Sequence, residues 1–202
     1  MRAVKAPSSD QLAMRLVDEA GRILSAEGAG ALTLRRLAQS VGISTMPVYT
    51  LFGDKQGLIA AMYREGYRRL GAALRAAAEG TDDPLEALVD LGHTYRATAL
   101  ANPHLYDLMF GRPVASFQPD SDTIEIADSA YRPLVEATQR CLDAGQLSGG
   151  DAERIAFHLW SVSHGMVSLE LAGHVHGDAA HAYEEALVLS AAPFLVLAPA
   201  RT

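Results

Sequence analysis

Between Thr33 and Lys55 the chain gathers short hydroxyls (Thr33, Ser44, Thr45, Thr50), a phenol (Tyr49), a thioether (Met46) and two cations (Arg36, Lys55). None is spaced as a nucleophile beside a base. The chemistry open to them is recognition. Hydroxyl, phenol and ammonium groups donate to phosphate oxygens, and short polar or soft side chains meet base edges and thymine methyls in a major groove. What they achieve depends on how the intervening residues aim them.

Those intervening residues have the spacing of a helix-turn-helix. Two short helices joined by a three-residue turn cross steeply, so the crossing needs a small side chain, here Ala38. The turn needs a residue at ease with positive φ, and Gly42 stands four residues on. The second helix needs an apolar anchor, and Val48 stands six beyond that. Leu34, Leu37, Val41, Ile43 and Leu51 complete the inward set, while Thr33 and Ser44 stand at the two helix starts. Ser44, Thr45, Met46, Tyr49 and Thr50 are then outward. Pro47 falls in the first turn, where its missing N–H has no intrahelical partner to lose. Arg35 and Arg36 fit solvated surface as well as phosphate contact.

The segment from Leu24 to Tyr63 resembles the tetracycline-repressor-like (TetR) family of regulators. The likeness is carried by the runs Thr33–Ala38, Val41–Ser44, Val48–Phe52 and Asp54–Leu58, above all by the spacing of Tyr49, Phe52, Lys55 and Leu58. It implies that Thr33, Tyr49 and Lys55 contact phosphate, and that Ser44, Thr45, Met46 and Thr50 face bases or the adjacent backbone. Thr50-Leu51 stands where members often carry Arg-His, so one backbone contact of the family is lacking. Further on, Trp160, His164 and Gly165 are similar to a Trp-x-x-x-His-Gly pattern of one C-terminal domain type in the family. The resemblance implies a bacterial, homodimeric transcription regulator, a repressor more often than an activator. It would hold a palindromic double-stranded operator and release it on binding a small ligand. A four-helix dimer interface would be built from the last two helices, which carry Leu169, Tyr183, Leu187 and Phe194.

A cavity for a small, mostly apolar ligand would draw on Tyr95, Leu105, Met109, Phe110, Phe117, Tyr131, Trp160 and His164, the aromatic, soft and polar residues of the later helices. Each fits ordinary core equally well. The connector Gly111–Asp122 could serve as an entrance lid. No phosphate loop, nucleophile elbow or Cys–His pairing is present, so no enzyme, cofactor or metal is expected. His174, His176 and His181 could ligate a metal but read more simply as loop residues between two helices, and His93, His158 and His164 read as core or pocket residues. Cys141 reads as a small buried hydrophobe.

The elements that must position these groups are all helical. Apolar residues recur at three and four, and no alternation of period two persists. The fold class expected is all-α, with about nine helices. A three-helix helix-turn-helix domain spans 10–70 (motif 33–52), and a larger regulatory and dimerisation domain spans 71–202. Asp10 is expected to cap the first helix. A plain helix is expected over His104–Phe110, a kink or break at Pro133, and a last helix over 179–197. Charge is segregated along the chain. Residues 1–69 hold 10 Lys+Arg against 6 Asp+Glu, and residues 70–202 hold 7 against 18, within a net charge of −7. A basic head on an acidic body suits a protein that presents one end to phosphate. A single cysteine, a polar N-terminus and no apolar run of about 18 residues point to the cytoplasm and away from a membrane. Two other readings stay open: a DNA-binding regulator answering to a protein partner, and an all-helical binding protein or enzyme with a vestigial head.

Overall fold

The computed structural model describes residues 8–111, 114 and 117–196. They form nine α-helices and one isolated antiparallel bridge: α1 (Ser9–Glu27), α2 (Leu34–Val41), α3 (Thr45–Phe52), α4 (Lys55–Ala78), α5 (Pro84–Ala101), α6 (Pro103–Tyr106), α7 (Ser121–Asp143), α8 (Ala152–Leu171) and α9 (Ala179–Ala191). A π-helical turn, Asp107–Gly111, continues α6 where a plain helix was expected. Of the suggested lid, Arg112, Pro113, Ala115 and Ser116 lie outside the described residues. The chain divides into two compact units, Met1–Tyr67 with His104–Ile126, and Arg68–Pro103 with Ala127–Thr202.

In the first unit, α1 begins at Ser8 and not at Asp10. The Ser8 hydroxyl accepts from the Gln11 N–H at 3.2 Å while the Gln11 side chain accepts from the Ser8 N–H at 3.0 Å. That reciprocal pair satisfies the Ser8 and Gln11 donors together. Leu16, Val17, Ala20, Ile23 and Leu24 form the buried face of α1. They share one core with Leu34, Leu37, Ala38, Val48, Leu58, Ile59 and Met62, and with Leu105, Leu108 and Val114. Gly21 is required by close approach: a Cβ there would lie 2.0 Å from Cδ2 of His104 on α6.

The second unit is tied through α5, α8 and α9. Asp83 caps α5 by accepting from the Leu85 N–H at 2.9 Å, with Pro84 in the first turn where its lost donor is harmless. Leu187 of α9 presses on Gly92, whose absent Cβ would stand 2.9 Å from Leu187 Cδ1. Beside it, the Tyr183 hydroxyl donates to the Gly92 carbonyl at 2.8 Å. Arg96 reaches from α5 to α8 and donates twice to Glu170, at 2.7 and 2.6 Å, with its guanidinium 5.6 Å from the centre of the Tyr183 ring. α7 runs unbroken through Pro133, without the break allowed for in the sequence. α9 stops at Ala191, short of 197, two residues before Pro193. The chain then turns back along the α7–α8 connection: Ser148 N–H donates to Phe194 O at 2.8 Å and Val196 N–H to Gln146 O at 2.9 Å. Cys141 is fully buried, and burial pushes its thiol up to about 11. His93 and His158 are exposed, contrary to the core or pocket role expected, because the buried faces of α5 and α8 pass through Leu91 and Tyr95 and through Ile155 and Leu159.

Glu170→Ala is expected to destabilise the chain by about 2 kcal/mol. It leaves the Arg96 charge, only about a fifth exposed, without its acceptor. Urea unfolding with an unchanged m-value checks it.

Candidate functional site

α2 and α3 are eight residues each, too short to persist alone in water. They are held by their crossing. Ala38 is 1% exposed and Val48 and Leu37 are fully buried, with Val41, Ile43, Leu51 and Phe52 packed around them. Gly42 takes the left-handed conformation, φ 74° and ψ 35°, and the Ile43 N–H donates back to the Ala38 carbonyl at 3.0 Å. That closes the turn and starts α3 on a new axis. Thr33 caps α2 by accepting from the Arg36 N–H at 3.1 Å. Ser44 occupies the cap position of α3 without a side-chain cap bond. At the start of α4, Asp54 Oδ1 accepts from the Gly57 N–H at 2.8 Å. A Cβ on Gly57 would lie 2.0 Å from the Phe52 carbonyl oxygen, so this glycine admits the tight α3–α4 corner.

The crossing leaves one face of α3 outward. Met46 is 72% and Tyr49 51% exposed, and Ser44 and Thr50 are exposed beside them, with Thr45 half-buried. The Thr50 hydroxyl donates to the Met46 carbonyl at 3.0 Å, which turns its methyl group away from that carbonyl. Two of the expected phosphate contacts already have partners. Arg36 pairs with Glu27 at 3.0 Å, and the Lys55 ammonium donates to the Ala29 carbonyl in the α1–α2 loop. An ammonium has three donors, and one of them ties the α1–α2 loop to the start of α4.

The eight residues read as a ligand lining fall into two groups. Leu105 belongs to the head core and Phe117 packs against it. Met109 lies against Gly66, and Phe110 meets Tyr67 edge-on and Tyr106 at a tilt, at ring separations of 5.8 and 4.8 Å. All four are in the first unit. Tyr95, Tyr131, Trp160 and His164 are brought together in the second. The Tyr95 hydroxyl and His164 Nδ1 are 3.2 Å apart and share a hydrogen bond. Trp160 lies 5.9 Å from the His164 ring and 5.6 Å from the Tyr131 ring. Burial lowers the His164 pKa, favouring the neutral imidazole. Burial raises the Tyr131 pKa, with the Glu153 charge adding to the effect.

Two family models match this chain. Residues 16–62 match the model described as bacterial regulatory proteins, tetR family, and residues 88–189 match the tetracyclin repressor-like C-terminal domain. The chain belongs to the TetR family. Among solved structures, the SCO4313 protein is 31% identical with a TM-score of 0.76, over 93% of this chain and 100% of that one. A protein of unknown function from Rhodococcus sp. RHA1 is 25% identical with a TM-score of 0.81, over 97% and 100%. The HTH-type transcriptional regulator Rv1816 of Mycobacterium tuberculosis is 22% identical over 84% of each chain.

α8 and α9 pack together and leave apolar side chains outward: Phe157 is 59% exposed, Leu169 47%, Val188 65% and Leu189 71%. Of the four residues assigned to an interface from the sequence, Leu169 is on this face. Tyr183 is 1% exposed and bonded within its own chain, Leu187 fills the Gly92 notch, and Phe194 packs on His158 at 5.5 Å. Phe157, Val188 and Leu189 are outward here and were not named from the sequence. The run Phe157, Ser161, Gly165, Leu169, one residue every fourth, is the signal that would have found the α8 stripe. Gly165 sits within it with nothing within 4 Å of where its Cβ would be.

A half-buried histidine whose pKa is lowered by desolvation makes stability depend on pH. The unfolded chain binds the proton more readily than the folded one, so stability is full above the ordinary histidine range. It falls as the pH drops through about 6.5 towards the depressed folded value. His164→Asn is expected to show a shallower loss of thermal stability than wild type between about pH 7.5 and 5.5, measured by calorimetry. Equal slopes would place the proton uptake elsewhere.

Proposed function

We propose that this TetR-family regulator is a homodimeric repressor that holds a palindromic operator through α3 and releases it when a small ligand enters the second unit. The observation that carries the reading is the outward face of α3, with Met46 and Tyr49 exposed to base and phosphate while Val48 anchors the helix beneath them. Two such faces related by a two-fold axis would enter successive major grooves of one operator. Thr33, Tyr49 and Lys55 position the head on phosphate; Ser44, Thr45, Met46 and Thr50 read bases or the adjacent backbone. A ligand bound better by a dimer whose heads no longer match the groove spacing shifts the population towards release. No helix among the described residues is long and apolar enough to cross a membrane. We place the protein in the cytoplasm, acting without enzymatic chemistry.

Selection of bound sequences from a random DNA pool tests the reading. Wild type is expected to enrich a two-fold-symmetric site. Lys55→Ala should weaken binding to every sequence and reduce the slope of log affinity against log salt by about one. Met46→Ala should change the enriched bases while leaving that slope alone. No enriched site, or no change in slope with Lys55→Ala, would defeat the corresponding assignment.

The dimer is checked by sedimentation. The α8–α9 face would pair with its own copy, burying Val188 and Leu189. Wild type is expected to be dimeric at micromolar concentration and Val188→Arg with Leu189→Arg monomeric, with helical content retained because both side chains are outward in the single chain. A monomeric wild type would overturn it.

A further inference from the structure

The Tyr131 hydroxyl is buried from solvent and has no hydrogen-bond partner. Such groups are uncommon in folded chains, because a phenol removed from water without a replacement partner is destabilising. Its surroundings give it none. The neighbouring polar pair, Tyr95 and His164, is occupied with its own hydrogen bond, and Tyr131 faces the Trp160 ring. The phenol is therefore an open hydrogen-bonding group at the edge of an aromatic surface.

We infer that Tyr131 is the polar recognition group of a ligand site on Trp160, and that the ligand is uncharged, with a planar apolar body and a carbonyl-type oxygen that accepts from the Tyr131 O–H. This rests on the reading above that the second unit takes a small ligand, and it goes further by naming the chemistry. The Trp160 face, flanked by the rings of Tyr131 and His164, favours a flat apolar body. An unpaired O–H calls for an acceptor. Charge decides which acceptor. The charge acting on Tyr131 is that of Glu153, an anion, and the imidazole in the cluster is held neutral by burial. A carboxylate would therefore meet a like charge, whereas a ketone or amide oxygen would not.

The full-length protein is titrated calorimetrically with acetophenone, ethylbenzene, benzoate and benzylammonium. Emission of Trp160, the one tryptophan of the chain, reports whether binding is at this cluster. Wild type is expected to bind acetophenone about tenfold more tightly than ethylbenzene, and benzoate and benzylammonium more weakly than either. Tyr131→Phe should erase the preference for acetophenone and leave ethylbenzene binding unchanged. The same variant without ligand should melt at or above the wild-type temperature, since it deletes an unpaired buried group. A purely structural tyrosine would melt lower. The inference is overturned if Tyr131→Phe keeps the acetophenone preference, if it melts lower because a trapped water had satisfied the hydroxyl, if a charged probe binds best, or if no probe changes Trp160 emission. DNA binding of the same preparations separates this from the wider reading. Intact operator binding with any of those outcomes removes only the ligand assignment, whereas absent operator binding removes the regulator reading whatever the probes do.

Discussion

Two helices of eight residues hold their shape only because they cross at Ala38 and Val48. Helix nucleation is unfavourable and eight residues return few hydrogen bonds, so α2 and α3 are stable as a pair in a core and not as separate elements. Burying Leu37 and Val48 completely contributes roughly 1.5–3 kcal/mol each, enough to offset the fraying of one short helix. The contact also sets direction. A side chain longer than alanine at position 38 would push α3 off α2, and Gly42 supplies the left-handed residue that lets the chain turn within three residues. The exposure of Met46 and Tyr49 follows from that geometry, as does the use of Lys55 to bind the α1–α2 loop to the start of α4.

The same constraint explains why the head was readable from sequence and the ligand cluster was not. A crossing, a left-handed turn and a cap each admit few residue types, so Ala38, Gly42 and Thr33 announce their roles locally. Residue type fixes position better than it fixes bonding: Ser44 stands where a cap belongs and makes no cap bond. Aromatic and soft residues carry no such local mark. Leu105 and Phe117 have the chemistry of a pocket lining and belong with the head core. Tyr131, Trp160 and His164 have the same chemistry and meet in the second unit, Trp160 and His164 one turn apart on α8 and Tyr131 packing on Trp160 from α7. Tyr183 shows the limit on the apolar side. Periodicity places it on a buried face, and only the fold shows that the burying surface is α5 of its own chain.

Charge segregation acts on approach more than on the bound state. Residues 70–202 carry most of the acidic side chains, and like charge opposes DNA at long range. At physiological salt this field decays over about 8 Å. Within that distance the contacts of the head decide affinity, so a chain of net charge −7 is compatible with a phosphate-binding surface.

The second unit holds two polar arrangements of opposite character on the same pair of helices. Tyr95 and Arg96 are neighbours on α5, and His164 and Glu170 both lie on α8. Arg96 and Glu170 make two charge-assisted bonds, each of a kind that contributes about 1.5–3 kcal/mol, and Tyr183 braces them from α9. That fixes the register of α5 on α8 and holds Tyr95 opposite His164. On the α7 side of the cluster, Tyr131 meets Trp160 through a ring contact of the order of 0.5–1.5 kcal/mol, and its hydroxyl is unpaired. Around Trp160 the charged pair therefore stiffens the α5–α8 contact, while the phenol of Tyr131 on α7 is the polar group left without a partner.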